Sequence, residues 1–221
     1  MLKPLAENDW NFAMAAHLLN RAGFGGTPTE IQKLADVGMD RAISVLLDYE
    51  NIPDPTQNPD WAKPNPDEIR NYREGIRNAA TPDEKRRIQQ EQQQTFQRRM
   101  MELRGWWMQR MAGGPRPFQE KMVLFWHGHF ATSIEKVRNP YYMWRQNELF
   151  RRLATANWQY LLSEAGKDPA MLVWLDQAQK MCIRDRHHAQ ERLEIVSARA
   201  EHAGERAVQF RRRLLSREIL P

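Results

Sequence analysis

Apolar residues in the first four-fifths of the chain recur at three- and four-residue steps and never sustain the two-residue alternation of a strand bounded by hairpin turns. Downstream of Thr81, the residues Ile88, Phe96, Met100, Leu103, Trp107 and Met111 draw one apolar stripe along a long helix that Gly113-Gly114-Pro115 ends. Gly105 is a weak point inside it. Trp10, Met14, His17 and Leu18 mark one side of a first helix running from Trp10 to about Ala22, broken by Gly23-Phe24-Gly25-Gly26. Tyr141 to Leu162 reads as another helix, with Met143, Leu149, Phe150, Leu153, Trp158 and Leu161 available for burial, and Asp168 to Gln179 begins one more.

The polar residues between these stripes carry helix-start chemistry. Thr27-Pro28-Thr29-Glu30 places a hydroxyl at the N-cap, Pro at the first helical position and Glu at the third, so that orphan amide donors are satisfied reciprocally. Thr81-Pro82-Asp83-Glu84 repeats the pattern, and Asn65-Pro66, Asn139-Pro140 and Asp168-Pro169 each set a capping side chain before a Pro. Five prolines without apolar periodicity between Asn51 and Pro66 predict a stiff linker. The expected architecture is all-α, an irregular helical bundle: a helical hairpin over 1–50, a Pro-rich linker over 51–66, a main bundle over 67–179 and a tail over 180–221.

Composition narrows the class. A chain of 221 residues predicts one modest domain, and 41% hydrophobic residues with 8 Trp exclude wholesale disorder. No uninterrupted apolar run approaches the ~20 residues needed to cross a bilayer. The opening Met1 to Asp9 meets Pro and acids where an export signal needs apolar residues, which points to the cytoplasm. The formal charge of +5 is concentrated in residues 180–221, which hold 10 basic and 6 acidic side chains. The body is nearly neutral, so no nucleic-acid partner is expected for residues 1–179. The lone Cys182 also lies in the tail, which leaves the body without disulfides or thiolate metal sites.

Lys180-Met181-Cys182-Ile183-Arg184-Asp185-Arg186 can be back-translated to contain AGATGTGTATAAGAGACAG, the transposase mosaic end used to tag sequencing libraries. Three of the 6 His, the only Cys and most of the excess charge follow that string. The expectation is a truncated natural domain over 1–179, joined to text over 187–221 from another fragment or reading frame. The alternative is a basic amphipathic arm, because Leu193, Val196, Ala200, Ala203, Ala207, Phe210 and Leu214 keep a heptad-like seam ahead of Arg211-Arg212-Arg213.

Three stretches of the body stand out: Ala15-Ala16-His17-Leu18-Leu19-Asn20-Arg21-Ala22-Gly23-Phe24-Gly25-Gly26; Glu120-Lys121-Met122-Val123-Leu124-Phe125-Trp126-His127-Gly128-His129-Phe130-Ala131-Thr132-Ser133; and Asp168-Pro169-Ala170-Met171-Leu172 with Trp174-Leu175-Asp176. Together they resemble a bacterial family, the domain of unknown function 1800 family. The resemblance implies a mainly helical protein and no established activity. The family's pattern continues with an Asn-Glu-Asn-Phe-Ala-Arg-Glu-Leu type segment where this chain has Lys180 to Arg186, so the resemblance implies that a C-terminal part is missing.

Candidate chemistry centres on His127 and His129, whose imidazoles suit a transition metal or acid–base catalysis near neutral pH. Residues two apart project from different sides of a helix, so one ion reaches both only if the helix ends at Gly128. The competing reading packs Phe125, Trp126 and Phe130 in the core while the imidazoles satisfy buried backbone groups. His17 and Arg21, four apart, are either a ligand-binding pair for an anion or a polar pair on a helix surface. Gly23 to Gly26 offers backbone amides to a phosphate, or simply connects two helices. Adjacent Trp106 and Trp107 cannot share one face, which predicts one of them exposed. Glu120, Glu135, Glu148 and Asp176 are possible acids or bases, although no spacing pairs them. Two functions fit: an enzyme or cofactor-using protein with a site near His127, His129 and His17, or a non-catalytic helical binding or assembly module. The residues identify neither a cofactor nor a partner.

Overall fold

A computed structural model describes residues 5–177, and the tail features read in the sequence lie outside the described residues. Those residues form ten α-helices and no strand: α1 (Phe12–Ala22), α2 (Pro28–Asp36), α3 (Met39–Leu47), α4 (Pro66–Asn78), α5 (Pro82–Gly113), α6 (Pro117–Phe130), α7 (Ile134–Val137), α8 (Pro140–Arg152), α9 (Trp158–Lys167) and α10 (Pro169–Trp174). The all-α expectation holds. Each N-cap read from the sequence is used. Thr27 and Glu30 close a reciprocal capping box, and Asn65, Thr81, Asn139 and Asp168 accept backbone amides at the starts of α4, α5, α8 and α10.

Three elements differ from expectation. The first helix starts at Phe12, because the Asn11 side chain accepts the amides of Ala13 and Met14, and Trp10 instead donates its indole N–H to the Ala35 carbonyl at 2.9 Å. The stretch from Tyr141 to Leu162 is two helices, since Asn157 caps α9 by accepting from Gln159 and Tyr160. The helix opened by Asp168 ends at Trp174, two residues before Asp176 turns the backbone left-handed at φ 58°.

Between α3 and α4 the chain from Ile52 to Asn65 is extended or turning, as its prolines require. It lies against α5: Trp106 donates to the Gln57 carbonyl at 2.9 Å and Trp61 to Glu102 at 2.6 Å. The helices on either side of this segment share one core. Ala15, Leu18, Met39, Ala42 and Leu46 from α1 and α3 pack with Phe118, Met122, Trp126, Phe150 and Leu161 from α6, α8 and α9. A smaller cluster of Val137, Met143 and Ala170 seats α7 and α10 on α8. The glycine connection after α1 serves this packing: Gly25 adopts φ +88°, and a Cβ on Gly23 would stand 3.1 Å from Pro117 at the start of α6. α5 enters the core only from Met100 onward, where Met100, Trp106 and Arg110 are buried, whereas α4 buries no residue.

Candidate functional site

Where α5, α6 and α8 meet, the interior is charged. Glu120, one turn into α6, is 2% exposed, and Arg110 of α5 and Arg151 of α8 are each 5% exposed. Four donors close the Glu120 carboxylate. Arg110 Nε donates to Oε1 at 2.9 Å and Arg151 Nε to the same oxygen at 2.6 Å, while Arg151 Nη2 and Trp107 Nε1 donate to Oε2 at 3.0 and 3.1 Å. Each arginine also holds a second acid, Arg110 taking Asp54 from the extended segment and Arg151 taking Glu148 from its own helix. The Trp106 ring lies under both guanidiniums, 5.2 Å from Arg110 and 5.1 Å from Arg151.

Burial is the largest influence on Glu120 and would raise its pKa, but the hydrogen bonds and charges of Arg151 and Arg110 together outweigh it and hold the carboxyl below its usual range. Burial likewise opposes the charge on Arg110, and Glu120 and Asp54 reverse it, keeping the guanidinium above its ordinary value. Glu120 and Arg110 are therefore held in their charged forms.

The polar row continues to His127. Arg151 Nη2 donates to Asn147 Oδ1 at 2.5 Å, which fixes the amide with its nitrogen turned toward the imidazole, and Asn147 Nδ2 lies 3.1 Å from His127 Nε2. An amide nitrogen only donates, so Nε2 is the acceptor and the proton of the neutral ring sits on Nδ1. Trp107 and Phe150 flank the ring with centroids at 4.7 and 4.9 Å. Burial, followed by the Arg151 charge, lowers the His127 pKa from 6.5 to about 4 against the opposing pull of Glu120. His127 is neutral at pH 7.

α6 runs unbroken through Gly128 to Phe130, with Ala131 as its left-handed cap at φ 52°, so the condition for His127 and His129 to share one ion is not met. His129 sits instead among Phe125, Trp126, Phe130 and Trp158, with ring centroids 5.2 to 6.2 Å away. Among the described residues no group of three or more His, Cys, Asp or Glu is placed to hold a metal. His17 is half-buried and Arg21 exposed on α1, and neither joins the hydrogen bonds of the polar centre. Glu148 enters the centre. Glu135 and Asp176 form surface pairs with Arg104 and Lys136.

The exposure expected of one indole does not occur: Trp106 is buried beneath the guanidiniums and Trp107 is half-buried against Glu120 and His127. A buried ion cluster gives each of two adjacent indoles an inward place. Sequence reading missed Arg110, Asn147 and Arg151. The two arginines carried a signal, a charged side chain within a largely apolar stretch, Arg110 between Trp107 and Met111 and Arg151 between Phe150 and Leu153, whereas Asn147 carried none.

These features define a helical protein organised around a buried Arg–Glu–Arg centre. The family model described as "Protein of unknown function (DUF1800)" matches residues 17–181, most of the chain, and the chain belongs to that family. No curated protein and no solved structure matches it significantly. None of the helices among the described residues is long and apolar enough to cross a membrane.

Proposed function

We propose that this chain is a non-catalytic helical binding or assembly module whose buried polar centre fixes the relative positions of α5, α6 and α8. One observation carries the reading: the groups suited to chemistry are committed to one another. Both oxygens of Glu120 are closed by arginine and tryptophan donors, and the acceptor nitrogen of His127 is closed by Asn147. A metal at His127 Nε2 would have to displace that amide, and His129 stands in different surroundings on the same helix. The outward side of α6 supports the binding role, because Leu124 and Phe125 are 42% and 39% exposed there, and Lys121 of the same helix overlies the ring of Phe24, itself 37% exposed, at 5.0 Å.

A second reading, a catalytic or cofactor-using site at His127, is favoured by the protonation state of that ring, which is neutral with its proton on the nitrogen that Asn147 does not occupy. Metal analysis and zinc titration of the purified chain and of a His127→Ala/His129→Ala double variant separate the two. The module predicts no stoichiometric metal and the same titration for both proteins. A metal retained through gel filtration by the wild type and lost by the double variant overturns it.

A further inference from the structure

A second polar contact lies on a different side of α8 and is not part of the Arg–Glu–Arg centre. Gln146 is fully buried at 0% exposure and Asp168 is 4% exposed. Gln146 Nε2 donates to Asp168 Oδ2 at 3.1 Å, and the same oxygen accepts the amides of Ala170 at 2.9 Å and Met171 at 3.2 Å, capping α10. Gln146 Oε1 is buried with no hydrogen-bond partner, and the bonds from Gln146, Ala170 and Met171 all end on Asp168 Oδ2, so Oδ1 takes none of them. A buried carbonyl oxygen without a donor is costly, and two acceptors cannot relieve each other unless a proton lies between them.

A carboxylic acid and a primary amide can close a ring of two hydrogen bonds, the amide N–H to one carboxyl oxygen and the acid O–H to the amide oxygen. The first of these bonds is present. We propose that Asp168 is a neutral carboxylic acid in the folded protein, its Oδ1–H donating to Gln146 Oε1, and that this acid–amide pair is a proton-operated latch holding α10 on α8. The proton satisfies the orphaned Gln146 oxygen and leaves Oδ2 free to go on capping α10.

The surroundings favour the neutral form. Burial is the largest influence on Asp168 and raises its pKa, against the amides of Met171 and Ala170, the Arg145 charge and the Gln146 bond. Charges on the elements packed around the pair are few or already matched. Arg145 on α8 is exposed, Glu164 and Lys167 on α9 pair with each other at 2.9 Å, and Lys136 on α7 is taken by Asp176 and the Trp174 carbonyl. α10 carries no charged side chain. Because the folded-state pKa is raised, the stability that the latch contributes is complete in acid and is lost as pH rises through the folded value. Deprotonation leaves a buried charge facing an unpaired carbonyl, and α10 loosens from α8.

The test is carbon-13 NMR titration of the Asp168 carboxyl in the full chain, together with the Gln146 side-chain amide resonances and amide exchange over α10. The expected midpoint lies above the ordinary aspartate range, the Gln146 signals move with the same midpoint, and exchange in α10 accelerates as pH rises through it. Asp168→Asn is a permanent neutral analogue: its oxygen still caps α10 and its amide nitrogen donates to Gln146 Oε1. It is expected to melt at or above the wild type at neutral pH and to lose the loosening that accompanies rising pH, whereas Asp168→Ala loses the cap. A carboxyl midpoint within or below the ordinary range overturns the latch, as does an Asp168→Asn variant destabilised as much as Asp168→Ala. Neither outcome bears on the metal titration that tests the module reading.

Discussion

Glu120→Gln removes the one charge on which both buried arginines converge while keeping the shape and one acceptor oxygen of the side chain. Two guanidiniums, each 5% exposed, then lose their shared counter-charge. Deleting one partner of a buried ion pair typically costs about 3–5 kcal/mol. Arg110 keeps Asp54, and Arg151 keeps Glu148 and Asn147, so the loss falls at the lower end of that range, about 3 kcal/mol. For a chain of this length that is a fall in Tm of roughly 6–12 °C. Urea denaturation followed by circular dichroism gives the free energy, and a double-mutant cycle with Arg151→Met isolates the pair. The second substitution is expected to cost much less in the Glu120→Gln background than in the wild type, a coupling of about 1 kcal/mol or more. A Glu120→Gln variant within about 0.5 kcal/mol of the wild type, or strict additivity with Arg151→Met, would refute the claim that this carboxylate holds the three helices together.

Three further outcomes follow from the same geometry. Nitrogen-15 NMR of His127 is expected to show a neutral ring protonated on Nδ1; since its pKa falls from 6.5 to about 4 on folding, its contribution is complete above 6.5 and is lost on acidification toward 4. The acid-side loss is up to roughly 3 kcal/mol, measurable as the difference in pH dependence between wild type and His127→Ala. Trp107→Phe keeps the ring beside His127 but removes a donor from Glu120, and should cost about 1.5–3 kcal/mol by urea denaturation. Gly114→Ala would drive a Cβ into the Arg110 carbonyl, so the turn between α5 and α6 must shift; a Tm unchanged from wild type would contradict that packing.

The parts of this fold that were legible in the sequence are those decided within four residues. Thr27, Asn65, Thr81, Asn139 and Asp168 all cap helices, because a capping side chain meets its partner amide two or three residues ahead regardless of tertiary context. Asn157 carries the same chemistry, but an apolar pattern continuing through Leu153 and Trp158 masked the break between α8 and α9. The polar centre was not legible. Glu120 meets Arg110 across 10 positions and Arg151 across 31, separations fixed by how α5 and α8 dock on α6 and by no local spacing. Reading His127 as reactive and Glu120 as unpaired treated each as a lone group. Asn147, invisible in any motif, decides which nitrogen of the imidazole carries the proton. The latch partner Gln146 is equally silent in sequence, since a buried amide announces nothing until its neighbour is known.

α5 is one uninterrupted helix, about 48 Å long at 1.5 Å per residue, yet nothing before Met100 is buried in it. From Pro82 to Arg99 the backbone can unwind without bringing a core side chain into water, so opening there is governed by helix–coil balance and its contacts with α4. Past Met100, opening requires the indoles and guanidiniums to leave the interior, which is a step toward global unfolding. A protease acting on the native protein therefore meets two kinds of substrate in a single helix. Cuts accumulate on the near side of Met100 while the far side stays whole.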